Sequence, residues 1–366
     1  MQVNSLSTEG FRLLETQTLG FAPGINVITG ENAQGKTTVL EAVYLLTGVR
    51  SFRARYDKEL ISFDRDAAFV SGDITANGRE QKIELRFARG SARRLLCNGS
   101  RRSPSELSDA LKAVIFSPDD LELVRGGAAL RRRMMDAAIS QLRPGYISLL
   151  SDYQKTLENK NRILKDWREK PDLLDALDEF SYTLCALSAK LIRYRASFVR
   201  RFSALAGSVH ADFSGGREEL TMRYDTVSTV TDPTAAESAV SEEIWARQRT
   251  LRTAEIESGQ CLVGAHKDEL LISINGSEAK TYASQGQTRT AAISMKLAER
   301  ELFLQDTGES PVLLLDDVLS ELDAARQEYV LNRIGGGQTL ITSCEAETVS
   351  RLAAGRVIRM EGGRAL

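Results

Sequence analysis

The amino-terminal third of the chain has the alternation of apolar and polar positions that is typical of β-strands. A short apolar run, Ile25–Thr29, leads into a glycine-containing loop, and the pairs Asn77-Gly78 and Asn98-Gly99 separate β-prone runs. Asn-Gly is a strong hairpin signal because both residues tolerate positive φ. Residues 1 to about 117 are therefore predicted to form half of an α/β domain.

Between Leu150 and Leu205 the apolar residues instead recur at steps of three and four, which is the spacing of one helix face. Pro171 interrupts this pattern within residues 169–172, so we predict an antiparallel helical hairpin over about residues 146–205. Each arm would reach about 30 to 45 Å, which is short for a coiled-coil arm. Two interpretations are open: a helical subdomain with its own core, which we favour, and a partner-binding coiled coil.

The segment from Asp225 to Ala239 contains Pro233 and many small polar residues, and it predicts a loop before a helical stretch around Trp245. Strand-like runs then flank a charged loop at 265–269, and Asn275-Gly276 indicates another hairpin. The chain closes with a helix, an apolar strand at 312–315 and two more strands. No internal repeat is evident.

Composition narrows the class of protein without identifying it. The 366 residues carry a net charge of −2, so attraction to nucleic acid has to come from local basic patches. The four cysteines show no C-x-x-C spacing and only two histidines are present, which argues against a disulfide framework or a zinc site. The sequence has neither a signal peptide pattern nor a membrane span, so we expect a cytoplasmic protein with no membrane association.

Residues 30–37 match the phosphate-loop pattern G-x-x-x-x-G-K-[ST], between a predicted strand and a predicted helix. The glycines allow the backbone N–H groups to approach the phosphates of ATP, the lysine neutralises them, and the hydroxyl of Thr37 is a ligand for Mg²⁺. The predicted nucleotide contacts of this loop are Gly30, Glu31, Asn32, Ala33, Gln34, Gly35, Lys36, Thr37 and Thr38.

About 280 residues later, the apolar run 312–315 delivers Asp316 and Asp317 at its carboxyl end. Ligands of α/β sheets bind at that end of the strands. We expect Asp316 to hold Mg²⁺ together with Thr37, and Asp317 to orient or deprotonate the attacking water. The other interpretation is that two solvated carboxylates cap the next helix.

Two shorter segments flank this pair. Ser284, Gln285, Gly286 and Gln287 precede a helical run, and Ser320-Glu321-Leu322-Asp323 follows the aspartates. They resemble the signature motif and the D-loop of the ABC ATPase superfamily. Taken alone, the first segment would indicate a plain helix cap, but its placement ahead of the aspartate pair favours the signature motif. The resemblance implies that the signature of one protomer meets the γ-phosphate held by the other, with Asp323 close to the nucleotide.

Further blocks resemble, in order, those of the RecF family of bacterial recombination ATPases. They are the phosphate loop, Ser51-Phe52-Arg53, Ser117-Pro118-Asp119-Asp120-Leu121, Arg131-Arg132-Arg133 ahead of Asp136, and Gly264-Ala265-His266-Lys267-Asp268-Glu269-Leu270, followed by the aspartate pair. Two departures stand out. Lys267 replaces a common arginine, and Cys344-Glu345 occupies the place of the transporters' switch histidine, so slow hydrolysis is expected.

The family resemblance implies a weak, DNA-stimulated ATPase of recombinational repair that forms an ATP-dependent homodimer. Its implied partners are double-stranded and gapped or junction DNA, with RecR and RecO in recombinase loading. Basic residues that could contact DNA phosphates occur in three clusters. The DNA-binding candidates are Arg50, Arg53 and Arg55, and Arg131, Arg132 and Arg133; the third cluster contains Arg93, Arg94, Arg101 and Arg102. Arg131–Arg133 could instead have a structural role.

The predicted fold class is α/β, a P-loop NTPase of the ABC ATPase-head type. Residues 1–117 and 256–366 are predicted to form lobe I, and residues 118–255 an inserted, mainly helical lobe II. Two rival functions are an SMC-like chromosome ATPase, disfavoured by the short hairpin, and an ABC transporter ATPase subunit, disfavoured by the missing histidine and the altered signature.

Overall fold

The computed structural model describes residues 1–107, 110–226, 230–344 and 355–366, and a mostly parallel sheet lies at its centre. Part of the loop predicted at 225–239, and Glu345, lie outside these residues. The sheet order is β15 (Arg364–Ala365), β14 (Arg356–Glu361), β3 (Ile25–Thr29), β13 (Thr339–Ser343), β12 (Val312–Asp316) and β8 (Ala113–Phe116). All neighbours are parallel except β15, which runs antiparallel to β14.

The parallel sheet is apolar on both faces because it separates two cores. Ile28, Leu314 and Leu340 face one core, whereas the adjacent Val27 and Leu313 face the other. Successive side chains of a strand point to opposite faces, so a strand covered on both sides is a continuous apolar run. This explains why residues 312–315 are entirely apolar.

The first core lies between the parallel sheet, helix α1 (Lys36–Leu45) and an antiparallel sheet. That sheet has the order β2 (Gln17–Gly20), β1 (Gln2–Glu9), β4 (Ala67–Ala76), β5 (Arg79–Ala88), β6 (Arg94–Cys97) and β7 (Ser100–Arg102). The predicted turns at Asn77-Gly78 and Asn98-Gly99 are confirmed: both asparagines and both glycines have positive φ, and antiparallel strands flank each pair.

The second core is mainly helical. The helices on this side are α2 (Ala128–Leu142), α3 (Pro144–Asp166), α4 (Leu177–Ser214), α5 (Glu237–Ser258), α6 (Ala279–Tyr282), α7 (Gln285–Thr307) and α8 (Ala324–Arg333). Helix α4 has 38 residues, or about 57 Å, and packs against α3, α5 and α7. Pro171 begins the short 3₁₀ turn that precedes α4.

A small antiparallel sheet completes this side, in the order β11 (Ser277–Glu278), β10 (Glu269–Ile274) and β9 (Leu220–Asp225). Asn275 and Gly276 both have positive φ at the β10–β11 turn, as the sequence predicts. Helix α7 connects the helices of this side to the parallel sheet, since it packs against α4 and also lies against β8. Within the described residues, no helix is long and apolar enough to cross a membrane.

Candidate nucleotide site

The phosphate loop connects β3 to α1, and its backbone adopts a conformation that few side chains allow. Gly30 has φ of 150° and Gly35 has φ of 100°, while Ala33 is held at 63°. A Cβ at Gly30 would collide with the carbonyl oxygen of Met360 in β14, and one at Gly35 would lie 2.9 Å from Leu14 Cδ2. Glycine is therefore required at both positions by conformation and by space.

Lys36, the first residue of α1, turns its ammonium group back over this loop. Its Nζ donates to the carbonyl oxygens of Gly30 and Glu31, at 2.7 and 2.8 Å, and lies 3.0 Å from Cys344 Sγ. The same sulfur lies 3.0 Å from Asn32 Oδ1. Lys36 is buried, so its positive charge is confined to the concave side of the loop.

The two distant motifs meet at Thr37 and Asp316. Thr37 Oγ1 donates to Asp316 Oδ1 at 2.7 Å, and Thr342 Oγ1 donates to the same oxygen at 2.9 Å. Burial raises the pKa of Asp316 above its ordinary value, against those two hydrogen bonds and the charges of Arg53 and Lys36. A hydroxyl and a carboxylate oxygen side by side form a donor pair suited to Mg²⁺.

Asp317 has an unusual backbone conformation. Its φ is 52°, which is uncommon for a residue other than glycine but tolerated by aspartate. Its N–H donates to Thr342 Oγ1 at 2.8 Å, and its carbonyl oxygen accepts a hydrogen bond from Ser320 Oγ at 2.6 Å. The turn after β12 is thereby fixed to the neighbouring strand β13.

The segment that resembles the signature motif forms the first turn of α7. Ser284 is the N-cap, and its Oγ accepts from Gln287 N at 3.2 Å. The side chain of Gln287 reciprocates, because its Oε1 accepts from Ser284 N at 2.9 Å. This arrangement is a capping box, so the helix-cap interpretation describes the local geometry correctly. A helix N-terminus also attracts anions, so capping and phosphate binding are compatible.

The segment that resembles the D-loop lies against this turn in the same chain. Asp323 caps helix α8 by accepting from Arg326 N at 3.0 Å, and it also pairs with the Arg326 guanidinium. That guanidinium reaches across to α7, where it donates to the carbonyl oxygen of Gly286 at 3.0 Å and to Thr290 Oγ1 at 3.1 Å. Arg326 therefore fixes the two segments relative to each other.

The three consecutive arginines of α2 differ in their surroundings. Arg131 is buried, forms a bidentate ion pair with Glu269 at 2.8 Å, and donates to three backbone carbonyl oxygens. Arg132 is half-buried and donates to the carbonyl oxygen of Asp268 at 2.6 Å. Arg131 is thus unsuited to the predicted DNA contact, because its guanidinium already holds β10. Of the three, Arg133 is exposed.

The first basic cluster lies on the surface beside the site. Arg50, Arg53 and Arg55 are all exposed. Their loop is attached to α1, because Ser51 Oγ donates to the buried carboxylate of Glu41 and accepts from Arg53 N at 2.9 Å. In the third cluster, Arg94, Arg101 and Arg102 are exposed, whereas Arg93 donates to the carbonyl oxygens of Gly48 and Val49.

Sequence reasoning missed two side chains of this region. Thr342 supports both aspartates because it is the register partner of Asp316 across β12 and β13. Arg326 joins the signature turn to helix α8. Neither belongs to a local motif. For Thr342, the only signal in the sequence was a threonine near the carboxyl end of an apolar strand. No signal marked Arg326.

Together, the parallel sheet, the phosphate loop at its edge and the adjoining aspartate define a P-loop head of the ABC ATPase type, the class that the sequence predicts. The family model for the RecF/RecN/SMC N-terminal domain matches residues 2–364. This chain belongs to the RecF family.

Two relatives named DNA replication and repair protein RecF support this assignment. The protein from Agathobacter rectalis is 38% identical over 344 residues, covering 93% of this chain and 92% of the relative. The Bacillus subtilis protein is 36% identical over 367 residues, covering 99% of each. The resemblance to the RecF family is therefore confirmed along the whole chain.

Solved structures agree with the sequence relatives. One described as the recombination mediator protein RecF-ATPrS in the RecFOR pathway superposes with a TM-score of 0.91 at 34% identity, covering 100% of this chain and 97% of that one. The Smc head domain from Pyrococcus furiosus matches with a TM-score of 0.53 at 16% identity, over 99% of this chain and 94% of that one. The latter similarity concerns the fold alone.

Proposed function

We propose that this chain is an ATP-dependent DNA-binding protein of recombinational repair, in which ATP joins two copies into a clamp. The observation that carries the nucleotide part is the 2.7 Å hydrogen bond between Thr37 and Asp316, since it assembles one site from motifs at opposite ends of the chain. The family membership supports the repair part.

In this proposal the N–H groups of the phosphate loop and the start of α1 hold the β- and γ-phosphates. Lys36 exchanges its loop carbonyl partners for phosphate oxygens. Thr37 and Asp316 would hold Mg²⁺, which neutralises phosphate charge and orients the γ-phosphate when it is bound. Asp317 orients or deprotonates the attacking water.

The position of the signature turn supports the proposed dimerisation. Hydrogen bonds connect Ser284, Gly286 and Gln287 to each other, to Glu218, to Thr290 and to Arg326, all on the helical side. A second copy would bring its own Ser284 and the N-terminus of its α7 to the γ-phosphate held by Lys36. ATP then acts as a bridge between protomers, and its slow hydrolysis releases them.

DNA binding is assigned to the exposed Arg50, Arg53, Arg55 and Arg133. Phosphate contacts by these side chains would be independent of base sequence and sensitive to salt. Because Ser51 attaches the first three to Glu41 of α1, their loop is connected to the helix that begins at Lys36. We propose that this connection lets DNA stimulate the weak ATPase at single-strand/double-strand junctions, where RecR and RecO assist recombinase loading.

Two substitutions test the composite site. Lys36→Met removes the main countercharge of the phosphates, so the variant should bind no ATP and form no ATP-dependent dimers. Ser284→Arg should bind ATP like the wild type but fail to dimerise. The measurements are binding of a fluorescent ATP analogue and sedimentation velocity with and without ATP. Dimers of Lys36→Met that depend on ATP would refute the proposal.

DNA selectivity is tested with gapped, double-stranded and single-stranded oligonucleotides of equal length. Each is titrated with protein in ATP, ADP or a non-hydrolysable analogue, at several salt concentrations. The proposal predicts tightest binding to the gapped DNA with the analogue and a loss of affinity at high salt. Equal affinity in all three nucleotide states would contradict it.

A further inference from the structure

The side-chain amide of Gln287, the last residue of the signature turn, has both of its ends fixed. Its Oε1 accepts from Ser284 N at 2.9 Å, and its Nε2 donates to Glu218 Oε1 at 2.9 Å. Glu218 lies far from α7 in sequence, in the turn between α4 and β9. An ionised carboxylate can accept hydrogen bonds but cannot donate them, so Glu218 binds the NH₂ end of the Gln287 amide and leaves its oxygen facing Ser284.

Glu218 also contacts residues of α4. Its second oxygen lies 3.0 Å from Nε2 of His210, which is completely buried in α4. The other ring nitrogen of His210 lies 3.3 Å from Ser294 Oγ, two turns further along α7. The backbone of the Glu218 turn is also fixed, because Glu218 N donates to Ser214 Oγ at 3.2 Å. Glu218 is consequently anchored to α4 and, through His210, to α7, the helix that carries the signature turn.

This geometry bears on the serine that is proposed to meet the γ-phosphate. Ser284 Oγ accepts from Gln287 N, and Ser284 N donates to the Gln287 amide, so the hydroxyl and the N–H of Ser284 both depend on the placement of Gln287. Without Glu218, the Gln287 amide loses the partner that keeps its oxygen directed at Ser284. The first turn of α7 would then fray, and the anion site would lose its fixed geometry.

We propose that Glu218 is a positioning residue of the composite ATP site, acting through Gln287 to hold the signature turn in the form that receives the partner's γ-phosphate. The inference rests on the proposed ATP-dependent dimer. Glu218 does not contact the nucleotide in this scheme, and it lies on the signature side of the interface. Its loss is therefore expected to impair dimerisation while leaving nucleotide binding to the phosphate loop intact.

The test compares Glu218→Ala, Glu218→Gln and Glu219→Ala in the full chain. Glu218→Ala should bind a fluorescent ATP analogue like the wild type. The dissociation constant of its ATP-dependent dimer should be higher by about tenfold or more, since a hydrogen bond to a charged group is lost. Glu218→Gln keeps an acceptor oxygen for Gln287 and should dimerise nearly as well as the wild type. Glu219 is exposed, so Glu219→Ala controls for removal of a neighbouring negative charge.

A second experiment distinguishes an action through Gln287 from a general structural role of Glu218, by combining Glu218→Ala with Gln287→Ala. If Glu218 acts through Gln287, Glu218→Ala has no further effect on dimerisation in the Gln287→Ala background. A further weakening equal to that in the wild type would overturn the inference, as would wild-type dimerisation by Glu218→Ala. If the wild-type chain stays monomeric with ATP, the proposed function fails first and the inference fails with it.

Discussion

At the scale of single residues, the candidate site depends on a carboxylate that is costly to bury. Asp316 accepts hydrogen bonds from Thr37 and Thr342 at one oxygen, and burial raises its pKa despite those bonds and the positive charges nearby. A buried carboxylate whose pKa is raised destabilises the fold when it is ionised. This cost in stability fits the proposal that Asp316 holds a cation.

Asp316→Asn should therefore raise the melting temperature at pH 7 by about 1–3 °C while weakening nucleotide binding in Mg²⁺. The amide oxygen can keep both threonine hydrogen bonds, and the cost of the buried charge disappears. The pKa of Asp316 is raised in the folded protein, so the cost of its buried charge is fully present at a pH above that pKa and disappears as the pH falls through it. The gain in melting temperature of Asp316→Asn should therefore shrink on acidification. The melting temperatures of the wild type and Asp316→Asn are measured by thermal scans at several pH values, with Mg²⁺-ATP or with ATP and EDTA.

A lower melting temperature of Asp316→Asn at pH 7, or an undiminished stabilisation by Mg²⁺-ATP over ATP with EDTA, would contradict this account of Asp316. The two results are independent. The first concerns the cost of the charge in the fold, and the second concerns the cation.

Residues inside contiguous motifs could be predicted, whereas residues brought in by the fold could not. The loop 30–37 and the pair Asp316-Asp317 are recognisable because neighbouring residues act together. Thr342 supports both aspartates only because of the register between β12 and β13, and register is not written in a local pattern. Likewise, clusters of arginines are visible in sequence, but the burial of Arg131 depends on β10.

At the scale of elements, two of the sequence blocks that resemble the RecF family turn out to pack against each other. The arginine run of α2 meets the block 264–270 through Arg131 with Glu269 and through Arg132 with the carbonyl oxygen of Asp268. Helix α4 joins them, because Arg195 pairs with Asp136 at 2.9 Å and donates to the carbonyl oxygen of Ala265 at 2.6 Å. These blocks are thereby explained as a junction between α2, α4 and β10.

Arg131→Met should lower the free energy of unfolding by about 3 kcal/mol, because it removes a buried donor from three backbone carbonyl oxygens and from the half-buried carboxylate of Glu269. Arg133→Met is the matched control on the same helix, and it should change stability by at most about 0.5 kcal/mol while weakening DNA binding. Urea denaturation and DNA titration of both variants provide the comparison. Equal stability of the two variants would refute the structural role of Arg131.

Elements with a strong local signal were predicted, and their mutual arrangement was not. The Asn-Gly hairpins and the apolar strand 312–315 are present as expected. The position of α7, which packs against α4 and β8, and the pairing of β9 with β10 depend on contacts distant in sequence. The division into lobes at 117/118 and 255/256 stays a prediction.

At the scale of the whole molecule, the parallel sheet brings the two chain ends together. Strands β3 and β12 both pair with β13, so the phosphate loop and the aspartate pair leave the same edge of the sheet. The signature turn lies at the start of α7, on the helical side. In the proposed function, a second copy presents its signature turn to the nucleotide of the first.

The most direct test of the central claim mixes the variants Lys36→Met and Ser284→Arg. If Ser284 acts across the dimer, a heterodimer contains one intact site, made from Lys36 of one chain and Ser284 of the other. Sedimentation velocity with ATP should then show dimers in the mixture although each variant alone stays monomeric. A mixture that remains monomeric, under conditions in which the wild type dimerises, would contradict a site completed by the partner.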